Sequence, residues 1–320
     1  MCLLIPLPRV KSKRSTTTSP RQAAREVQIL CHPRHAGCVS GSRLIMLPLR
    51  GEHRLLRHKH YMSLPIKLIS TDFDGTLFAE FENPPIPERL ASLIGDLQAR
   101  GAKWIINTGR DMSSLMEALA RSQIRIQPDF LVLVEREIYR HDGVRYASVL
   151  DWNTTCTSNH AALFAQVRPE VAALMDWVNA RFRATVYEDP YSPFCVIAGD
   201  NGEADLIHTR MNEFCARFSD LTVVRNDVYA RFSHVAYNKG TALAEISGRL
   251  GVNRTEIFAA GDHLNDLPML KSEFACLLAA PQNAIPEVKE VVTRQHGFVS
   301  RLNCGNGVAE GLEYHLRAEK

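Results

Sequence analysis

The sequence predicts an α/β fold in which a doubly wound parallel sheet is interrupted by an inserted α+β layer. Three observations carry this expectation. Short apolar runs alternate with helical stretches near both ends of the segment 62–320. Hairpin signals replace that alternation in the middle. Polar clusters stand directly behind several of the apolar runs.

Residues 66–71, Ile-Lys-Leu-Ile-Ser-Thr, read as a buried strand. Pro87 to Arg100 reads as a helix, opened by a proline and closed by Gly101. Lys103-Trp104-Ile105-Ile106-Asn107 is a second strand, Asp111 suits the cap of a helix running through Ala120, and 130–134 is a third strand. After 135 the pattern changes: Ile138-Tyr139-Arg140 and Val144-Arg145-Tyr146 flank Asp142-Gly143, a hairpin turn signal. A helix over about 160–182, strands near 185–187 and 194–197, a helix from Glu203 and strands around 221–224 and 228–232 follow. Hairpins set between two helices predict a layer separate from the wound sheet. Alternation resumes after Lys239, with a helix over 240–250, a strand over 257–260, a helix over 264–271, a strand over 274–278 and a last helix near 308–317. The expected organisation is a core, 62–134 and 235–320, around an inserted domain, 135–234.

The net charge of +3 conceals an asymmetry. Residues 1–61 hold 12 Lys/Arg against two acids, Glu26 and Glu52, so the rest of the chain is acidic. The basic pI of about 8.4 belongs to that leader and argues against nucleic-acid binding by the body. The leader shows no sustained period. It is expected to be disordered, or to come from an over-extended start for which Met62 is the natural beginning, in preference to an organelle-targeting segment. Cys31, His32, His35 and Cys38 have no second ligand pair at zinc-site spacing and read as chance. The eight cysteines lie without close repeated spacing, which predicts a reduced, cytoplasmic protein. No apolar stretch reaches the length needed to cross a bilayer.

The chemistry centres on Asp72-Phe73-Asp74-Gly75-Thr76. Residues two apart on an extended backbone face the same side, so both carboxylates emerge at a strand's C-terminal end, where open α/β sheets place ligands. Adjacent carboxylates repel each other and need a cation, a shared proton or strong donors. A calcium loop would need an acid or amide at 76, glycine at 77 and Glu at 83, whereas the chain has Thr76, Leu77 and Asn83. Three further clusters follow core strands or open core helices: Thr108-Gly109-Arg110, Lys239-Gly240, and Gly261-Asp262-His263-Leu264-Asn265-Asp266. Singly each has a plainer reading, as a turn residue, a solvated lysine or a helix cap. In a parallel sheet all strand C-termini share one edge, so together they converge on Asp72 and Asp74.

These four clusters, in this order, resemble the motifs of the haloacid dehalogenase superfamily of phosphohydrolases. Tyr237-Asn238-Lys239-Gly240-Thr241-Ala242-Leu243, and Ala280-Pro281-Gln282-Asn283-Ala284 with Val288-Lys289, are similar to segments of its Cof-like and sucrose-phosphatase-like members. The resemblance covers roughly 62–320. The long interval from Thr108 to Lys239 leaves room for a cap there, as in those subfamilies. One departure stands out: their third strand commonly ends in Asn-Gly, whereas this chain has Glu135-Arg136-Glu137.

The resemblance implies a Rossmann-like core with an α+β cap, and a magnesium-dependent phosphatase of a small phosphate ester, such as a sugar phosphate. It implies Asp72 as nucleophile, Asp74 as acid–base, and magnesium held by Asp72, the Asp74 carbonyl and Asp262. Thr108, Gly109, Lys239 and Asn265 would bind phosphate, and Asp266 would orient Lys239 or a metal-bound water. A phosphotransferase or phosphomutase on the same scaffold is the nearest rival, and a non-catalytic binding module a more distant one. No nucleic-acid or membrane partner is expected, and oligomeric state is unassigned. For cap contacts to substrate, Glu188, Asp189, Tyr191 and Arg225 are the candidates, with His263 a neighbour of the site.

Overall fold

The computed structural model describes residues 64–317, and the expectations for 1–61 lie outside them. The chain runs β1 (Leu68–Thr71), α1 (Glu88–Ala99), β2 (Lys103–Asn107), α2 (Met112–Ser122), β3 (Phe130–Leu133), β4 (Glu137–His141) and β5 (Tyr146–Ser148). It continues through α3 (Leu150–Asn179), β6 (Thr185–Asp189), β7 (Ser192–Ile197), α4 (Asn201–Cys215), β8 (Leu221–Asn226) and β9 (Tyr229–His234). It closes with α5 (Lys239–Leu250), β10 (Ile257–Ala260), β11 (Leu277–Ala280), α6 (Pro286–Arg294), β12 (Phe298–Val299) and α7 (Cys304–Arg317).

Two sheets result. The larger has the order β12-β11-β10-β1-β2-β3-β4-β5 and is parallel except at β4 and β5; the smaller is antiparallel, β6-β7-β9-β8. Alternation along the central strands supplies both faces of the large sheet with a core. Ile69, Trp104, Ile106, Leu131 and Phe258 pack on one side with α1, α2 and α7. Leu68, Ile105, Val132, Ile257 and Ala259 pack on the other with α5 and α6. A third cluster joins α3 and α4 to one face of the small sheet through Phe194, Val196, Ala230 and Phe232. Helix α3, 30 residues and therefore about 45 Å long, links the two layers. Its first turn packs Trp152 on the large-sheet core, and Leu163 to Val178 lie in the third cluster.

Several expectations shift. The Asp142-Gly143 hairpin forms, with Asp142 Oδ1 accepting from the N–H groups of Val144 and Arg145 at 2.9 Å each. It joins the large sheet, however, because β4 pairs antiparallel with β3, and so does not belong to the small one. Helix α3 starts ten residues earlier than its helix-formers suggest, since Cys156 and His160 are buried at helical spacing and Asn153 brackets both backbone groups of Ile138 at 2.8 Å. The helix expected over 264–271 is only a 3₁₀ turn at Leu264–Asp266. Pro268 obstructs a continuing helix, and the Asp266 carboxylate accepts from the N–H groups of Asp262 and His263 at 2.8 and 2.9 Å. Strand β11 lies later than 274–278, α7 starts at Cys304 instead of near 308, and α6 and β12 were not anticipated.

Candidate active site

Strands β1, β2 and β10 end side by side, and the loops beyond them bring the motifs together. Asp72 follows β1 directly and is 5 % exposed. Its Oδ1 accepts from Lys239 Nζ at 2.5 Å, and Lys239, wholly buried at the start of α5, also donates to Asp266 Oδ1 at 2.6 Å. The lysine is set from behind: Asn107, at the end of β2, donates to its carbonyl at 2.9 Å. Asn238 caps α5 by accepting from the N–H groups of Gly240 and Thr241. Gly240 itself sits so near Pro268 that a Cβ would lie 2.5 Å from the Pro268 carbonyl oxygen.

Asp72, Asp262 and Asp266 can each bring a carboxylate oxygen within 4.8 Å of the others. Three carboxylates against one ammonium leave a net charge of −2 in a buried place. Burial and Asp266 hold the Asp72 carboxyl well above the usual carboxylate range despite Lys239, and burial and Asp266 push Asp262 up to about 7. Both shifts express a missing positive charge. A set of hard oxygen donors with a −2 balance fits a divalent cation of the magnesium type.

Gly75 and Thr76 complete this corner. Thr76 Oγ1 donates to Asp262 Oδ1 at 2.7 Å, and Gly75 turns with φ +73°. A Cβ at 75 would collide with the Asp262 carboxylate. Gly75→Ala is therefore expected to destabilise the protein by about 1–3 kcal/mol and to weaken cation binding, readable as a lowered urea midpoint and a smaller metal-induced rise in melting temperature. An unchanged response to metal would count against this placement of Asp262.

The carboxylates of Asp72 and Asp74 have different partners. Asp74, partly exposed, forms a two-point ion pair with Arg110, Oδ2 accepting from Nε at 2.8 Å and Oδ1 from Nη2 at 2.6 Å. Arg110 lies 5.5 Å from the ring centre of Phe73 and donates to Ser114 Oγ at 3.0 Å, so its guanidinium is fixed on three sides. Thr108 is buried, with Oγ1 accepting from the Arg110 N–H at 3.1 Å.

Asn265 and Gly109 meet a residue that sequence reasoning treated only as a departure. Val134 and Glu135 both have positive φ, 43° and 64°, in the turn after β3. That turn is tied to the Thr108–Arg110 loop: the Val134 N–H donates to the Arg110 carbonyl at 3.0 Å and the Glu135 N–H to the Thr108 carbonyl at 2.9 Å. The conformation carries the Glu135 side chain inward, where it is 4 % exposed. Its Oε1 accepts from Asn265 Nδ2 at 2.9 Å and its Oε2 from Arg231 Nη2 of β9 at 3.0 Å. Arg231 also donates to the Val134 carbonyl at 2.6 Å. Burial disfavours its charge, but Glu135, together with Tyr229 and Asp189, more than offsets that and the guanidinium stays above its ordinary value.

The small sheet closes over these loops. Arg136 donates to the Tyr191 carbonyl at 2.9 Å, and the Asp227 N–H meets the His263 ring at 3.2 Å. A cavity of about 310 Å³ lies at the seam, lined by Glu135, Val224, Arg225, Lys239 and Asn265 among others. Of the expected contacts from this layer, Arg225 lines the cavity, but its guanidinium is bonded to the Asp227 carbonyl, Asp205 and Asn201 of its own layer. Asp189 accepts from the N–H groups of Tyr191 and Ser192 in its own turn, and exposed Glu188 is turned away into an ion pair with Arg168. Arg231 was missed, for no local pattern distinguishes it from a solvated strand arginine.

Residues 179–312 match a family model described as haloacid dehalogenase-like hydrolase. A 5-amino-6-(5-phospho-D-ribitylamino)uracil phosphatase of Bacillus subtilis is 25 % identical over 260 residues, covering 78 % of this chain and 95 % of the relative. A putative phosphatase of the same organism is 23 % identical over 273 residues, 77 % and 97 % of the two chains. In structure, the sucrose-phosphatase of Synechocystis sp. PCC6803, solved with sucrose and phosphate, superposes with a TM-score of 0.61 at 16 % identity over 78 % of this chain and 98 % of its own. A haloacid dehalogenase-like hydrolase of Bacteroides thetaiotaomicron gives 0.54 at 21 % identity, over 78 % and 99 %. Four motifs meet at one sheet edge and these likenesses span nearly the whole of each relative, so the chain shares its fold with the haloacid dehalogenase-like hydrolases and is similar to them in sequence over residues 179–312.

Proposed function

We propose that the protein is a magnesium-dependent phosphatase of small phosphorylated metabolites, sugar phosphates above all, working through an aspartyl-phosphate. The observation that carries this reading is Asp72, a buried carboxylate bound to Lys239 and flanked by two more carboxylates. An Asp72 oxygen attacks phosphorus and the ester oxygen departs, taking a proton from the Asp74 carboxyl. Water then attacks the acyl phosphate, Asp74 receives its proton, and phosphate leaves with Asp72 restored. In this structure Arg110 holds both Asp74 oxygens, so Arg110 must release one of them before Asp74 can carry the proton that the ester oxygen takes. Lys239, Thr108 and the Gly109 backbone neutralise the phosphoryl oxygens, with Asn265 at their side. Magnesium, held by Asp72, Asp262 and the Asp74 carbonyl with Asp266 behind Lys239, would supply charge neutralisation between anionic nucleophile and anionic phosphate.

The division into core and cap belongs to the same reading. The cap is drawn in to 150–234, since the β4–β5 hairpin pairs with the large sheet. Among the described residues no helix is long and apolar enough to cross a membrane, and we assign the enzyme to the cytoplasm on its scattered cysteines. The Bacillus relative's phosphorylated ribityl chain supports a polyol phosphate as substrate. A screen of phosphorylated metabolites with magnesium, read as released phosphate, tests the proposal; a product that keeps its phosphoryl group on another oxygen would identify a mutase instead.

The carboxylate shifts predict how pH and metal interact. Asp262 stands at about 7 folded against 3.8 as the ordinary value, so the native state keeps a proton that the unfolded chain has released. The metal-free protein should therefore lose stability as pH rises between these values. A cation that binds the carboxylates removes the slope by displacing the proton. Calorimetric melting at pH 5 and pH 8 should show a drop without magnesium and little with it, and Asp262→Asn should make the metal-free curve shallower, leaving the part that Asp72 contributes. A metal-free midpoint that climbs over this range would contradict the assignment.

A further inference from the structure

We infer that Glu135 is a specificity-determining residue, one that makes the wall beside the phosphate site accept hydrogen bonds and repel anions, so that the enzyme takes monophosphorylated polyols and rejects esters bearing a second acidic group. The inference rests on the phosphatase reading and deepens it. Glu135 stands at the junction of the site and its roof: Oε1 is bonded to Asn265, and a Cβ on Gly109 would lie 3.4 Å from it, while Oε2 meets Arg231 on β9. It also borders the 310 Å³ cavity, together with Lys239 and Asn265.

Two features point to what the wall binds. A carboxylate can only accept, so Glu135 takes the N–H end of the Asn265 amide and thereby fixes which way round that amide sits. The amide oxygen, buried with the residue 8 % exposed, is then left without a hydrogen-bond donor among the described residues. A buried acceptor without a donor is costly, and here it lies beside a carboxylate that can accept more. Hydroxyl groups of a leaving polyol are donors of the right kind.

The charge balance gives the second half. Arg231 and Arg136 are both buried at the seam, 3 % and 5 % exposed, and Arg136 Nη1 has no hydrogen-bond partner among the described residues. Glu135 is the carboxylate in direct contact with Arg231, whereas Arg136 donates to the Tyr191 carbonyl and has no ion pair among the described residues. With it in place, an incoming second anion meets a carboxylate, and Arg231 is already engaged. Without it, Arg231 would join Arg136 as a second guanidinium lacking an ion pair, and together they would invite that anion. The backbone supports a selected role as well: a left-handed Val-Glu pair is strained where glycine would sit freely, and such strain persists where a side chain has to be delivered to a site.

The test uses a matched pair, glycerol 3-phosphate and 3-phosphoglycerate, which differ by a hydroxymethyl against a carboxylate. Dissociation constants are measured by calorimetry with magnesium in an Asp72→Asn background, where nothing turns over. With Glu135 present, glycerol 3-phosphate should bind about tenfold or more tightly than 3-phosphoglycerate. Glu135→Gln should erase or invert that ratio, and Glu135→Gln/Arg231→Gln should bring the two ligands close to equal. Glu135→Gly, suited to the backbone angle, keeps the test available if the glutamine variant does not fold, and it too should lose the selection. A ratio unchanged by these substitutions, or a preference for 3-phosphoglycerate with Glu135 in place, overturns the inference. Turnover of 4-nitrophenyl phosphate by the unsubstituted enzyme reports separately on the phosphatase reading, so either can fail without the other.

Discussion

Asp72→Asn is expected to abolish magnesium-dependent phosphate release, by roughly 10³-fold or more, in a protein that folds at least as well as the original. The two halves of this result have one cause. The carboxylate is the attacking group, and an amide of the same shape has no equivalent nucleophile. Yet in the absence of metal that carboxylate is held well above the usual range, by burial first and by Asp266 second, so its charge opposes folding at neutral pH. The amide removes the charge and keeps an oxygen that can accept from Lys239, which still has Asp266 at 2.6 Å. Phosphate release, the metal-free melting temperature, and intact mass after acid quench should be read together. The mass should reveal a phosphoryl adduct on the original enzyme during turnover and none on the variant. Activity retained within tenfold would remove Asp72 from the role of nucleophile, whatever the stability did.

The central strands were legible because each is short, apolar and buried on both faces: 103–107 and 257–260 form where the sequence puts them. The convergence of the motifs was legible for the same reason, since parallel strands deliver their C-terminal loops to one edge. Turn chemistry was legible only in part. Asp142-Gly143 specifies a hairpin, but nothing in two turn residues says which sheet the hairpin extends, and pairing with β3 decided it. The early start of α3 was hidden by Thr154, Thr155, Thr157, Ser158 and Asn159, poor helix-formers overridden by the burial of Cys156 and His160. Glu135 was the hardest case. Neither Val nor Glu favours positive φ, so no local signal marks the turn; what the sequence offered was Glu135-Arg136 where the resemblance led to an expectation of Asn-Gly. The Asp74–Arg110 pair joins residues 36 apart in sequence, and only the neighbouring ends of β1 and β2 bring them together.

Lys239→Met should be the most destabilising single change in the site, and its cost should depend on pH. The lysine is wholly buried and bonded to two carboxylates, with burial opposing its charge but Asp266 and Asp72 raising its pKa. Methionine fills a similar volume and leaves Asp72, Asp262 and Asp266 with no cation among them. Removing one partner of a buried ion pair costs about 3–5 kcal/mol, because the charge left behind is uncompensated. Carboxyl groups can escape by keeping a proton, and each that does so has its folded pKa raised further above its unfolded value. The native variant then binds more protons than the unfolded chain, so its stability must fall as pH rises. The urea midpoint of Lys239→Met should lie well below that of the original at pH 8, recover much of the deficit at pH 5, and rise again at pH 8 when magnesium supplies the missing charge. A uniform loss, equal at both pH values and indifferent to magnesium, would mean that Lys239 acts by packing alone, and the charge balance assigned to the site would be wrong.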